Sequence, residues 1–322
     1  MLKKILLSSG TLVFIGAVAV SATGAFFSDT ETSTGNIFTA GAIDLTIDSV
    51  SHYNGMVCTN ISGTYRWIPE VNVDLDSNNQ PVAEAAMDEQ SEWDGFNNSS
   101  PAQFPQAGVT CVGTWPLDDL DANTLSLGTF FNFDDIKPGD EGENTISIHI
   151  DSNDAWMCAG LSNVAGADPL ATATEPEDTE EDFLGDITHG TTLADSELDE
   201  NLNFFAWLDD GDNIYEPGIA IGTSTTVEVA FGSPVAASTL TSQTWALADS
   251  NTANGPIQGG ITNYIGVAWC AGEMEVSGAS ITCDGEEMGN EAQTDSWSAD
   301  LSFYVEQSRN NGEFLCSDIV ED

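Results

Sequence analysis

Residues 145–150 read TISIHI, and the alternation in this stretch decides the expected fold. Ile146, Ile148 and Ile150 fall on one side of an extended chain and His149 on the other, as in an antiparallel strand with one buried face. Similar short stretches, bounded by Gly, Asn, Asp and Pro, recur along the chain, whereas helical periodicity is scarce. The sequence therefore predicts an all-β protein, either a β-sandwich or a jelly roll.

Working outward from this stretch, the clearest strands alternate in the same way. They are expected at residues 42–47, 125–133, 145–150, 203–208, 225–231, 264–270 and 299–306. Two stretches interrupt the pattern. One spans about 51–120 and is rich in Pro and Asn; the other spans about 165–200, is acidic, and has a helix-compatible piece at 194–198. We expect both to be long insertions outside the core of a single domain formed by residues 42–322.

The N-terminus has the pattern of a secretory signal peptide. Lys3 and Lys4 precede an apolar run at 5–20, and small residues follow it. The run is shorter than the roughly 20 residues that a membrane-spanning helix needs. We therefore expect residues 1–25 to be cleaved, with an uncleaved anchor as the alternative and the only expected contact with a membrane.

The charge balance is strongly acidic. The chain has 53 Asp and Glu against 5 Lys and Arg, a net charge of −48, yet 41% of its residues are hydrophobic, enough for a folded core. Removal of residues 1–25 takes away two basic residues, which leaves 3 against 53 and hence −50. This charge excludes an electrostatic partnership with nucleic acid. It also predicts that the exported chain needs a saline medium or bound divalent cations to offset its self-repulsion.

The chain has six cysteines, an even number that favours disulfides in an exported protein. They are Cys58, Cys111, Cys158, Cys270, Cys283 and Cys316. We expect a bridge between Cys270 and Cys283, which are close in sequence, and as a second expectation a bridge between Cys58 and Cys111. The spacings contain no CxxC pair, so they do not resemble a zinc ribbon.

Two acidic loops contain the residue types that bind calcium in proteins. Asp74, Asp76 and Asn78 stand at alternate positions in the first loop. In the second, LDDGDNIYEPG, the candidate ligands are Asp209, Asp210, Asp212 and Glu216. Closely spaced carboxylates on a Gly-containing turn suit Ca²⁺, which takes 6 to 8 oxygen ligands. The sequence thus indicates Ca²⁺ as a possible cofactor and no organic cofactor.

Residue patterns typical of enzymes are absent from the sequence. His52, His149 and His189 are scattered and form no HExxH motif, and the sequence contains neither GxSxG nor a phosphate-binding loop. We therefore expect no catalytic residues and no enzymatic activity.

Residues 24–45 read GAFFSDTETSTGNIFTAGAIDL and resemble the segment that follows the signal peptide in the TasA/camelysin family. The matching positions are Phe27, Ser28, Asp29, Glu31, Asn36, Phe38, Ala40, Gly41, Asp44 and Leu45. The turn DIKPGD at 135–140 and the stretch SWSADLSFYVEQSRNN at 296–311 are similar to later parts of the same family. Together the three stretches cover 44 of the 322 residues, about a seventh of the chain.

The resemblance implies a secreted jelly-roll subunit of biofilm-matrix fibres, in the extracellular matrix or on the cell surface, processed by a signal peptidase of the SipW type. It also implies that identical subunits join head to tail by donor-strand exchange, with residues 26–41 as the donor. This segment is apolar only in patches, at Phe26, Phe27, Ile37 and Phe38, which suits a strand that completes another sheet.

Two other functions stay open from the sequence. One is a secreted metallo-endopeptidase of the camelysin type, which would need converging metal ligands. The other is a monomeric calcium-binding surface adhesin. A fibre subunit differs from both because it needs a sheet edge that accepts residues 26–41.

Overall fold

The computed structural model describes residues 28–32, 45–70, 73–75, 81–83, 93, 97, 104–118, 129–133, 136–150, 153–167, 197–221, 227–252, 255–286, 288, 292 and 295–319. Its strands are β1 (Ser28–Thr32), β2 (Leu45–Tyr53), β3 (Met56–Ile61), β4 (Thr64–Pro69), β5 (Val73–Leu75), β6 (Pro81–Ala83), β7 (Trp115–Asp118), β8 (Glu141–Ile150), β9 (Ala155–Ala167), β10 (Leu202–Asp209), β11 (Val229–Ala230), β12 (Val235–Ala236), β13 (Gln243–Ala248), β14 (Thr262–Ala271), β15 (Glu273–Ser277), β16 (Ser280–Asp284) and β17 (Ser296–Gln307). A short helix, α1, spans Glu197–Asn201. None of the helices in these residues has the length and hydropathy of a membrane span.

Two antiparallel sheets form the body of the protein. One has four strands in the order β1-β17-β9-β13. The other has nine: seven in the order β11-β10-β14-β8-β2-β3-β4, with β12 also paired to β10 and β7 to β2. Two small hairpins, β5-β6 and β15-β16, are separate from them. The prediction of an all-β sandwich is confirmed.

The core between the sheets follows from the alternation seen in the sequence. On β8, Ile146 and Ile148 are fully buried, while the side chain of His149 on the other face is 31% exposed. The β8 isoleucines share one cluster with Met157 of β9 and Val305 of β17 in the facing sheet. Burial of these side chains, at about 25 cal/mol per Å² of apolar surface, holds the two sheets together.

The expected strands at 145–150, 203–208, 264–270 and 299–306 lie inside longer strands of the structure. Around residues 225–231 only Val229–Ala230 is a strand, and the strand expected from residue 42 is described from Leu45. The described residues of the expected strand 125–133 are 129–133, and they are not extended into a strand. The expected helix at 194–198 overlaps α1, which begins at Glu197.

Residues 51–70 do not lie outside the core. They form the end of β2 and all of β3 and β4 in the larger sheet, and they supply Tyr53, Met56, Trp67 and Ile68 to a second buried cluster. The expectation of an insertion from residue 51 is therefore wrong over this part. Polar residues do not mark an insertion here, because Ser51 and Thr59 are themselves fully buried. Residues 168–196 of the second expected insertion are outside the described residues.

Three disulfides cross-link the fold, and all six cysteines take part. Cys58 pairs with Cys111 and Cys270 with Cys283, as expected. The third bridge joins Cys158 on β9 to Cys316, which follows β17. Three disulfides fit an oxidising, extracellular compartment.

Strand β1 lies on the outer edge of β17 in the same chain. The pairing is antiparallel, with Ser28 opposite Glu306 and Thr32 opposite Ser302. Five residues of the expected donor segment thus complete a sheet of their own molecule. Phe26, Phe27, Ile37, Phe38 and the expected signal peptide at 1–25 lie outside the described residues, and exchange between subunits stays a prediction.

Gly266 of β14 is opposite Trp207 of β10, and the indole lies over the glycine. A Cβ at position 266 would overlap the Trp207 ring, which is fully buried. We expect Gly266→Ala to destabilise the fold by about 1–3 kcal/mol because the ring has to move. Denaturant unfolding measures this effect. Gly312→Ala is the control, since a Cβ there meets open space, and equal losses in both variants would contradict the prediction.

Candidate metal centre

The loop after β10 is shaped by aromatic packing on one side and by a tight turn on the other. Trp207 stacks on Phe205, with ring centroids 5.7 Å apart, and Tyr215 packs edge-on against Phe205. Gly211 and Asn213 have positive φ angles of 108° and 63°. Gly and Asn tolerate this conformation best, so the chain can reverse direction directly after the strand.

Asp209 is the last residue of β10 and is fully buried. Its Oδ1 accepts a hydrogen bond from Trp207 Nε1 at 3.1 Å. Its Oδ2 accepts from the backbone N–H groups of Gly211 at 3.0 Å and Asn213 at 3.3 Å. These three donors fix the carboxylate at the base of the turn.

Four carboxylates converge at this turn. Asp209, Asp210, Asp212 and Glu228 each offer an oxygen, and these oxygens lie within 4.8 Å of one another. In the part of the chain that the structure describes, no other group of three or more His, Cys, Asp or Glu side chains comes as close. Such a group of oxygen ligands could hold a metal ion. We refer to these four residues as the acidic cluster.

Glu228 is the least expected member of the acidic cluster. It directly precedes β11 and is only 2% exposed. Its Oε2 accepts the backbone N–H of Glu216 at 2.6 Å, whereas its Oε1 has no hydrogen-bond partner. A buried carboxylate oxygen without a donor is unfavourable unless a cation or a proton satisfies it.

The electrostatics of the cluster agree with this view. Burial raises the pKa of Asp209 to about 6, against the opposing effect of its hydrogen bonds. Burial, together with the charges of the three aspartates, raises the pKa of Glu228 to about 7. The pKa of Asp212 is raised as well, again chiefly by burial. A bound cation would offset the mutual repulsion of these carboxylates.

The structure brings together three of the four residues predicted in this loop. Asp209, Asp210 and Asp212 belong to the acidic cluster, whereas Glu216 contributes its backbone N–H to Glu228. Sequence reasoning missed Glu228 because it lies far along the chain. Only the strand register places it here. Leu208 is opposite Val229 in an antiparallel pair, so the next residues, Asp209 and Glu228, come together.

The other predicted metal ligands do not form a described site. Asp74 lies in β5, paired with Val82 of β6, and Asp76 and Asn78 are outside the described residues. His52 and His149 face different carboxylates, Glu70 at 3.8 Å and Asp48 at 3.6 Å. His189 is outside the described residues. The two described histidines therefore do not share a ligand position.

An acidic cavity of about 250 Å³ lies beside the cluster. Glu70, Glu141, Glu143 and His52 line it, together with aromatic side chains. Burial is the main cause that raises the pKa of Glu143 to about 7, and the nearby carboxylates add to it. Burial lowers the pKa of His52 to about 4, so this histidine is neutral at pH 7.

Asn213 connects the cavity to the acidic cluster. Its Nδ2 donates to Glu143 Oε2 at 2.8 Å and lies 3.1 Å from His52 Nδ1. Its Oδ1 accepts from Thr145 Oγ1 at 2.7 Å, and its backbone N–H donates to Asp209. The buried Asn213 thus attaches the loop of the acidic cluster to the outer face of β8.

The chain matches no protein-family model, and neither a curated protein nor a solved structure is significantly similar to it. The resemblance to the TasA/camelysin family therefore depends on the quoted sequence motifs.

Glu143 predicts a pH dependence of stability. Its pKa rises from 4.5 in the unfolded chain to about 7 in the fold, so the folded state binds the proton more tightly. Stability from this group is present below pH 4.5 and is lost as the pH rises through 7. In the presence of a chelator, we expect Glu143→Gln to be more stable than the wild type at pH 8, by about 1–3 kcal/mol. At pH 4 the two should be equal.

Denaturant unfolding at both pH values measures this difference. Glu275→Gln, which removes an exposed charge on β15, is the matched control. An equal gain in the control, or a gain from Glu143→Gln that persists at pH 4, would contradict burial as the cause.

Proposed function

We propose that this chain is a secreted structural subunit of extracellular or cell-surface biofilm-matrix fibres, without enzymatic activity, and that it polymerises by donor-strand exchange. The observation that carries the proposal is the pairing of β1 with the edge of β17. Ser28, Asp29 and Glu31 of β1 belong to the N-terminal motif that resembles the TasA/camelysin family, and β17 contains most of the last of the three similar stretches. The two motifs thus meet at one sheet edge.

In an isolated chain, this edge is occupied by the chain's own β1. Polymerisation requires β1 to leave β17 and to take the same place on a neighbour. The exchange has a low cost, because the same register of backbone pairing forms between two molecules instead of within one. When β1 is absent, β17 is an unpaired edge strand, which attracts another strand.

Head-to-tail exchange does not close on itself, because each subunit gives its N-terminal strand to the next one and receives one from the previous subunit. The result is a filament. The signal peptide pattern at 1–25 and the three disulfides support export, and cleavage by a peptidase of the SipW type would free the donor segment. Because the exported subunits repel one another, high salt or divalent cations would promote assembly.

The two alternatives receive less support. A zinc metallo-endopeptidase usually has paired histidine ligands and a general base, whereas His52 and His149 lie in separate surroundings. A monomeric adhesin would keep β1 on its own β17 permanently. Trapping experiments can distinguish this last case from strand exchange.

Single-cysteine variants of the mature chain test the exchange directly. Thr32 is opposite Ser302 in the β1–β17 pairing. We expect a mixture of Thr32→Cys and Ser302→Cys subunits to form disulfide-linked mixed dimers under assembly conditions, visible on non-reducing gels. The double variant, oxidised as a monomer, should lock β1 in place and stop fibre growth until it is reduced.

Thr32→Cys mixed with Ser280→Cys is the control, since Ser280 lies in the separate hairpin β15-β16. Electron microscopy of each sample reports fibres. Fibres that grow from the locked monomer, or that form without mixed Thr32–Ser302 dimers, would refute exchange of β1.

For the acidic cluster, the ion that we propose is Ca²⁺. All four side chains offer carboxylate oxygens, and two of the residues lie on a turn that can adjust to a large coordination shell. Mg²⁺ demands a stricter octahedral geometry and dehydrates reluctantly. Bound Ca²⁺ would also offset part of the large negative charge of the chain.

Calorimetry and thermal unfolding test the calcium site. We expect Ca²⁺ at about 100 times its Kd to stabilise the wild type by about 2.7 kcal/mol. Asp212→Asn and Glu228→Gln should each lose most of this stabilisation, because each removes a ligand charge. Glu275→Gln should retain it. A wild type that shows neither binding heat nor a thermal shift with Ca²⁺ would eliminate the site.

A further inference from the structure

Residues 227–236, which we name the outer arm, run along the side of β10 that faces away from β14. At one end β11 pairs with Trp207 and Leu208, and at the other β12 pairs with Asn203 and Phe204. Between them, the backbone N–H of Phe231 donates to Ala206 at 2.9 Å. The outer arm is therefore the cover of this edge of the nine-stranded sheet.

Hydrophobic burial adds little to the two strands of the outer arm, although Phe231 between them packs against the main core cluster. Val229 and Val235 are 41% and 40% exposed, and β11 and β12 contain two residues each. The only fully enclosed side chain between 227 and 236 is that of Glu228, a member of the acidic cluster. At the far end, the arm continues into the buried Ala237. The end near β11 is thus held by the Glu228 carboxylate together with backbone hydrogen bonds between Glu228 and residues 218–219.

Whether the Glu228 carboxylate holds the arm or repels it depends on what occupies the acidic cluster. Glu228 approaches three aspartates, and its Oε1 has no hydrogen-bond partner. With all four groups ionised and no cation present, repulsion would drive Glu228 away from the end of β10. With a cation between them, the same four carboxylates tie the arm to Asp209.

We infer that the acidic cluster is a cation-operated latch that holds the outer arm on β10. When the cluster takes up a divalent cation, the arm closes the sheet edge. When the cation leaves, the arm detaches from Ala206, Trp207 and Leu208 and exposes their edge to a second copy of this chain. The inference rests on the cation site proposed above and adds to it the segment that the ion controls.

The latch bears on how copies of the chain associate. An open β10 edge is a template for edge-to-edge pairing, which would compete with head-to-tail exchange at β17. A closed β10 edge leaves the β17 edge as the place where a strand is exchanged. The cation would thus favour linear assembly through a segment that lies in the other sheet from β1.

Hydrogen exchange of the mature chain, followed by mass spectrometry with Ca²⁺ or with a chelator, tests the latch. We expect peptides covering 227–236 to exchange roughly tenfold or more faster after chelation, because the arm opens locally. Peptides covering 141–150 in β8 should not change. In Glu228→Gln, which lacks the repelling charge, exchange of the arm should be the same in Ca²⁺ and in chelator.

Asp212→Asn, at an exposed member of the cluster, is a second variant that leaves the buried contacts intact. It should need more Ca²⁺ to protect the arm, whereas Glu275→Gln should behave as the wild type. Binding heat without a change at 227–236, or equal deprotection of 141–150, would overturn the latch and leave the cation site standing. Absence of binding heat would instead remove the proposed site itself.

Discussion

The large excess of carboxylates over cationic side chains is the constraint on which the rest of this structure depends. Beyond the expected signal peptide, the chain has three basic residues. Arg66 lies over the Trp93 ring at 5.6 Å and Lys137 over the Phe104 ring at 3.9 Å. The buried acids are therefore held largely by neutral donors. Asp140 accepts from Tyr53 Oη and from Asn54 Nδ2, and the same pattern recurs along the fold.

Asp249 and Glu306 show how general this solution is. Asp249 accepts backbone N–H groups from Asn251 and Thr252, which closes the turn after β13. Glu306, near the end of β17, accepts from Tyr304 Oη of the same strand and from Asn311 Nδ2 in the segment that follows. Neutral donors satisfy oxygens but do not cancel charge. The acidic cluster is one place where this solution fails, because Glu228 Oε1 has no donor. The buried Asp199 is another, since neither of its carboxylate oxygens has one.

Alternation allowed the strands that bury one face to be predicted, as at 145–150. It could not reveal β9, which reads AWMCAGLSNVAGA and is buried on both faces over Ala155–Ala159 as a central strand of its sheet. Such strands have no period of two.

Likewise, three members of the acidic cluster are close in sequence and could be predicted, whereas the position of Glu228 depends on a strand register that only the fold sets. The nearby disulfide Cys270–Cys283 could be predicted from sequence distance, but Cys158–Cys316 spans 158 residues.

The bridge between Cys158 and Cys316 has a mechanical consequence. Strand β17 pairs with β1 on one side and with β9 on the other. The disulfide links β9 covalently to the segment just past β17. In the proposed polymer, tension along the fibre would enter each subunit through β1 and load β17 in shear, with many hydrogen bonds resisting at once. The bridge would keep β9 and the chain end from peeling apart under that load. Tensile strength would then be set by the contact between neighbouring subunits rather than by the integrity of each one.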